Sequence, residues 1–176
     1  MRVIGLDLSL TATGVAIIDD GTITVRTITS NPTGDSVDDR VRRLDKIERA
    51  VMECMTGASE IDLIVIEGPS FGQMRQSGEH VRAGFWWRIV SICTDTAPVI
   101  EVPPATLKKY ATGKGNAAKD AVLLATARRF PDVDLRDNNQ ADALWLAAMG
   151  ARHLERPIDD VPQLNQAAMA AVRWPW

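Results

Sequence analysis

The spacing of apolar residues changes period along the 176-residue chain, and each change marks a new element. RVIGLDLS, then GVAIIDDGTITVRTI, read as three strands, with Asp19-Asp20-Gly21 turning the second into the third. Ile23 and Val25 alternate with Thr22, Thr24 and Arg26, which predicts an antiparallel strand with one solvated face. Val37, Val41, Leu44, Ile47, Val51, Met52 and Met55 then recur at helical spacing. They predict an amphipathic helix over residues 36–56, capped by Asp35 or Ser36, with Arg40, Arg42, Arg43, Lys46 and Arg49 on its charged face.

DLIVIEG reads as a fourth strand, residues 78–94 as a helix, and APVIEVP as a fifth strand. After Pro103-Pro104 come a short helix near 105–111, the glycine turn TGKGN, a helix near 116–130 and a last helix near 138–153. The expected fold class is α/β: a five-stranded mixed sheet, its first three strands an antiparallel meander, flanked by helices. No composition break marks a second domain. Residues 1–155 are expected to form one unit, and 156–176 a tail with a short helix and an aromatic end.

Hydrophobic residues at 45% and charged residues at 24% argue against disorder and fibrous repeats. No apolar run approaches the roughly 20 residues that span a bilayer, and the N-terminus reads as a strand rather than a signal peptide. A cytoplasmic protein without membrane contact is expected. Cys54 and Cys93 lack metal-ligand spacing and read as buried thiols; His80 and His153 are isolated, which disfavours zinc. The net charge of −3 hides an asymmetry, because residues 73–129 carry nine Lys/Arg against four Asp/Glu. That basic segment, with Arg75, Lys108, Lys109, Lys114 and Lys119, suits a phosphate-bearing partner.

The stretch LIVIEGPSF ends a buried strand on Glu67, and a buried charge costs several kcal/mol unless compensated. In the first strand Val3, Gly5 and Asp7 share a face, so Asp7 stands mid-sheet where there is little bulk. The last helix is apolar nearly all round, which marks it as buried, yet it contains Asp142 with Asn139 one turn before. Singly, each acid has an ordinary role as a cap or an ion-pair partner. Three together repel, and a hard divalent cation, Mg²⁺ or Mn²⁺, compensates them with oxygen ligands.

Four blocks in this order, VIGLDLSLTATGVAII, IVIEGPSF, TLKKYATGKGNAAKDAV and NQADALWLA, resemble the RuvC family of Holliday junction resolvases within the ribonuclease H-like superfamily. The short chain looks like a phage-type member, which would place it in a bacterial host's cytoplasm. The resemblance implies a ribonuclease H-like fold and metal-dependent hydrolysis of DNA phosphodiesters leaving 5′-phosphate and 3′-hydroxyl ends, with Mg²⁺ as cofactor, two ions per site, and Mn²⁺ able to substitute. It implies Asp7, Glu67 and Asp142 as ligands. The family's remaining ligand position falls on Asn139, a departure that brings an amide oxygen without charge, with Asp137 as the alternative. It further implies Lys108 and Lys119 at the scissile strand, with Lys109, Lys114 and Arg75 nearby, and Phe71 against unpaired bases.

A four-way junction has near two-fold symmetry, so a homodimer is the expected assembly. The helix AGFWWRIVSIC offers Phe85, Trp86 and Ile89 as interface residues. Trp174 and Trp176 could dock a replication or recombination protein. Two other readings stay open: a ribonuclease H-like nuclease acting on forks, flaps or RNA, and a non-catalytic junction-binding module.

Overall fold

The computed structural model describes residues 1–57, 59–69 and 78–175. Strands β1 (Arg2–Asp7), β2 (Ala12–Asp19) and β3 (Thr22–Thr29) form the antiparallel meander. Asp20 and Gly21, both at positive φ (45° and 87°), make the tight turn that right-twisted strands require. β4 (Leu63–Glu67) runs parallel to β1, and β5 (Val99–Val102) parallel to β4, giving the sheet order β3-β2-β1-β4-β5.

Helices cover both faces. α1 (Val37–Met55) starts at a capping box, in which the Asp39 N–H donates to the Ser36 hydroxyl at 3.0 Å and the Ser36 N–H donates back to the Asp39 carboxylate at 3.3 Å. With α2 (Glu79–Thr94) it packs on Ile4, Leu6, Val15, Ile28, Ile64 and Ile66. Arg88 of α2 joins the two helices, pairing with Asp45 at 2.7 Å and with Glu48. The other face, with Val3, Ala16, Ile18, Leu63 and Val65, lies under α5 (Asn138–His153), which α3 (Pro104–Thr112) and α4 (Lys119–Arg129) cover in turn. Among the described residues no helix is long and apolar enough to cross a membrane.

α5 is buried on every side from Gln140 to Ala151. Two glycines let its backbone rest directly on the sheet. A Cβ at Gly5 would fall 2.0 Å from the Ala143 carbonyl oxygen, and one at Gly14 would fall 2.0 Å from that of Asn139. From above, Trp145 donates its indole N–H to the Thr126 hydroxyl at 2.7 Å and meets Tyr110 and Phe130 edge-on.

Two expectations are corrected by this packing. Phe85, Trp86 and Ile89, expected at a dimer interface, are at most 9% exposed and lie in the chain's own core on this face of the sheet. A helix turns about 100° per residue, so Trp87, one position on from Trp86, is the aromatic that faces out, 66% exposed. Arg43, expected on a solvated face, turns inward and donates to the Ser30 hydroxyl at 2.7 Å and the Leu10 carbonyl at 2.6 Å, fastening the β1–β2 loop to the end of β3. Near the C-terminus, α6 (Gln163–Gln166) and a 3-10 turn (Ala167–Ala171) pack on α3, with Val161, Ala168 and Val172 buried and Asn165 donating to the Tyr110 carbonyl at 2.8 Å. Trp174 stacks on His153 at 4.5 Å; Trp176 lies outside the described residues.

Candidate metal centre

Asp7 closes β1, and its neighbours in the sheet are set by register. Gly14 of β2 lies opposite it, and Leu6 pairs with Ile66, so Glu67 ends β4 alongside. Both carboxylates point to the face on which α5 lies, because Asp7 shares the parity of Val3, and Glu67 that of Leu63 and Val65. The indole N–H of Trp86 donates to the Glu67 carbonyl at 3.0 Å and fixes the strand end from the opposite side. Since α5 rests on Gly5 and Gly14, its residue Asp142 is lowered towards this pair. Asp7 and Asp142 are each 7% exposed, and Glu67 is partly buried.

The electrostatics record how close the three acids are. Burial pushes the Asp7 carboxyl up, opposed by a hydrogen bond shared with Glu67 and by Lys119. Glu67 is pushed up to about 9, by burial first and then by the charges of Asp7 and Asp142. Asp142 is pushed up to about 7, again by burial first and then by Asp7, while Lys119 and Lys108 pull it down. The field of Lys119, exposed at the start of α4, thus reaches all three acids, and that of Lys108, half-buried on α3, reaches Asp142. Lys109 and Lys114 are exposed to solvent, and Phe71 and Arg75 lie outside the described residues.

The oxygens present suit a hard divalent ion. Near neutral pH these carboxyls cannot all ionise side by side without added positive charge. The Asn138 amide oxygen, one turn before Asp142, is buried without a hydrogen-bond partner. Among the described residues no three His, Cys, Asp or Glu side chains stand close enough together to form a ready-made metal cage. Asn139 is half-buried with its carbonyl over Gly14. Asp137 serves as the N-cap of α5: one oxygen accepts the Gln140 N–H at 2.9 Å and the other the Thr27 hydroxyl at 2.5 Å.

The family model for crossover junction endodeoxyribonuclease RuvC matches residues 3–149, most of the chain. The chain belongs to the RuvC family. These are hydrolytic endonucleases, and their chemistry depends on a metal. A RuvC from Bartonella tribocorum is 24% identical over 97% of this chain and 97% of its own length. One from Synechococcus sp. strain WH7803 is 29% identical over 85% of this chain and 97% of its own. In structure the chain resembles Thermus thermophilus RuvC, solved in complex with a Holliday junction substrate, with a TM-score of 0.65, 19% identity, and coverage of 97% of this chain and 95% of that one. The ribonuclease H-like expectation for the fold therefore holds.

Against this RuvC frame, sequence reasoning missed Thr27, whose hydroxyl meets Asp137 from the edge strand. Its position on the face of Ile23 and Val25 was the available signal.

Proposed function

We propose that this chain is a metal-dependent, structure-selective endodeoxyribonuclease that resolves four-way DNA junctions by paired symmetric nicks, acting as a homodimer. The observation that carries the reading is the convergence of Asp7, Glu67 and Asp142, from three separate elements, on one end of the sheet, near enough that burial and then the charges of their neighbours push Glu67 and Asp142 up. The family membership supports it.

Asp7, Glu67, Asp142 and the Asn139 amide oxygen would hold divalent ions, Mg²⁺ with Mn²⁺ as a substitute, and the number of oxygens is adequate for two. Such ions supply Lewis-acid polarisation of a phosphodiester and an acidified water. The chain's own residues do the rest. Asp7, in the middle of the sheet and hydrogen-bonded to Glu67, would be the central ligand of this set. Lys108 and Lys119 stand on the α3–α4 side of the acids, where they neutralise the phosphates of the strand being cut. The apolar packing of α5 keeps water away from the inner side of the cluster.

A second copy would supply the second site that a two-fold junction requires. Trp87 of α2, on the side of the sheet opposite α5, is 66% exposed and is the candidate contact between copies.

Asp7→Asn tests the reading. It should reduce junction cleavage to background in Mg²⁺ while junction binding stays within about threefold of the unchanged chain, because phosphate contacts rather than this carboxylate hold the DNA. A variant that cleaves normally would remove the metal-centre reading.

A further inference from the structure

We infer that Thr27, on the edge strand β3, is a positioning residue for the metal centre, acting by clamping the first turn of α5 to the sheet. This rests on the metal-centre reading above. Asp7, Gly14 and Thr27 form one row across three strands, since Asp7 pairs with Gly14 and Gly14 with Thr27. The row lies on the face where α5 starts. Thr27 is half-buried there and makes two side-chain contacts to that helix: its hydroxyl donates to Asp137 at 2.5 Å and accepts from the Gln140 amide at 3.0 Å.

Those two partners close a ring around the helix start. Asp137 accepts the Gln140 backbone N–H at 2.9 Å, and the Gln140 side-chain oxygen accepts the Arg136 N–H at 2.9 Å. One hydroxyl from β3 therefore fixes the residues on either side of Asn138 and Asn139. Directly beneath, the Asn139 carbonyl occupies the space that a Cβ at Gly14 would take. The helix start is thus held from two sides, by contact at Gly14 and by hydrogen bonds at Thr27. Asp142 follows Asn139 by one turn, so a shift or tilt of this turn moves both together relative to Asp7.

The clamp also gives Asp137 a structural role, because each of its oxygens accepts a hydrogen bond at the helix start. A valine at position 27 keeps the branched shape and removes the hydroxyl, leaving one oxygen of Asp137 and the Gln140 amide without this partner.

Calorimetric titration with MnCl₂ reads ion binding without any cleavage, and junction cleavage against ion concentration is read alongside. The variants are Thr27→Val, Thr27→Ser and Thr126→Val; the last removes the buried hydroxyl that Trp145 uses and so perturbs α5 away from the acids. Groups behind metal ligands commonly govern affinity by 10–100-fold, so Thr27→Val should weaken Mn²⁺ binding and raise the ion requirement for cleavage about tenfold. Junction affinity in chelator should be unchanged, Thr27→Ser should stay within about twofold of the unchanged chain, and Thr126→Val should lower the melting temperature without moving ion affinity. Unaltered or tighter Mn²⁺ binding in Thr27→Val, or an equal loss in Thr126→Val, would overturn the inference. If the unchanged chain binds Mn²⁺ but cuts no junction, the nuclease reading fails while the calorimetric comparison still decides for or against the clamp.

Discussion

Replacing Glu67 with glutamine should stabilise the ion-free protein, and should do so only well above the pH at which an ordinary glutamate ionises. The Glu67 carboxyl is pushed up to about 9 from an ordinary value of 4.5, by burial first and by Asp7 and Asp142 after it. A carboxyl with a raised folded value holds its proton more tightly in the native state than in the unfolded chain. Stability is therefore complete below pH 4.5 and is lost as pH rises towards 9. Each pH unit in that window costs about 1.4 kcal/mol, so the loss reaches about 3 kcal/mol by pH 7. Asp7 shares the hydrogen bond, so this belongs to the pair and is not counted again for Asp7.

Glutamine keeps the size, carries no charge, and has an N–H to donate to Asp7 as the protonated acid does. In chelator at pH 7, Glu67→Gln should melt roughly 6–12 °C above the unchanged chain, at roughly 2–4 °C per kcal/mol for a protein of this length. Near pH 4.5 the two curves should coincide, and adding Mg²⁺ should raise the unchanged chain far more than the variant. Equal melting temperatures at pH 7 in chelator would refute the claim that these carboxyls oppose one another.

Gly14→Ala forces a methyl against the Asn139 carbonyl, with backbone on both sides of the clash. It should cost about 1–3 kcal/mol in thermal or denaturant unfolding and abolish cleavage, because α5 must lift for the methyl to fit. Lys119→Gln should lower junction affinity and reduce the slope of log affinity against log salt by about one, measured by fluorescence anisotropy over a salt series. An unchanged slope would place Lys119 away from the phosphates.

Much of the architecture was legible because period reports burial. The clean alternation of β1 assigned Asp7 to the face of Val3 and Gly5, and the all-round apolar surface of α5 identified a buried helix with an acid inside it. What remained hidden depends on which side of an element is covered, and by what. The sequence FWW is apolar throughout, so only the packing of α2 on the sheet, where Trp86 reaches the Glu67 carbonyl, distinguishes buried Trp86 from exposed Trp87. Arg43 looks like one more basic residue of a solvated helix face, and its inward turn depends on unpaired acceptors at Leu10 and Ser30 that come from a different part of the chain. Asp137 was read from the sequence only as an alternative ligand; its contact with Thr27, 110 residues away in sequence, has no local pattern to announce it.

Cleavage of a four-way DNA junction, each strand labelled in turn, with Mg²⁺ or Mn²⁺ against a chelator control, tests the central claim most directly. Forks, flaps and linear duplex of matched sequence are assayed beside it. The account predicts metal-dependent nicks placed symmetrically on opposing strands of the junction, with linear duplex left intact. Junction binding without cutting in either metal, or cutting of forks and flaps without paired nicks, would contradict it.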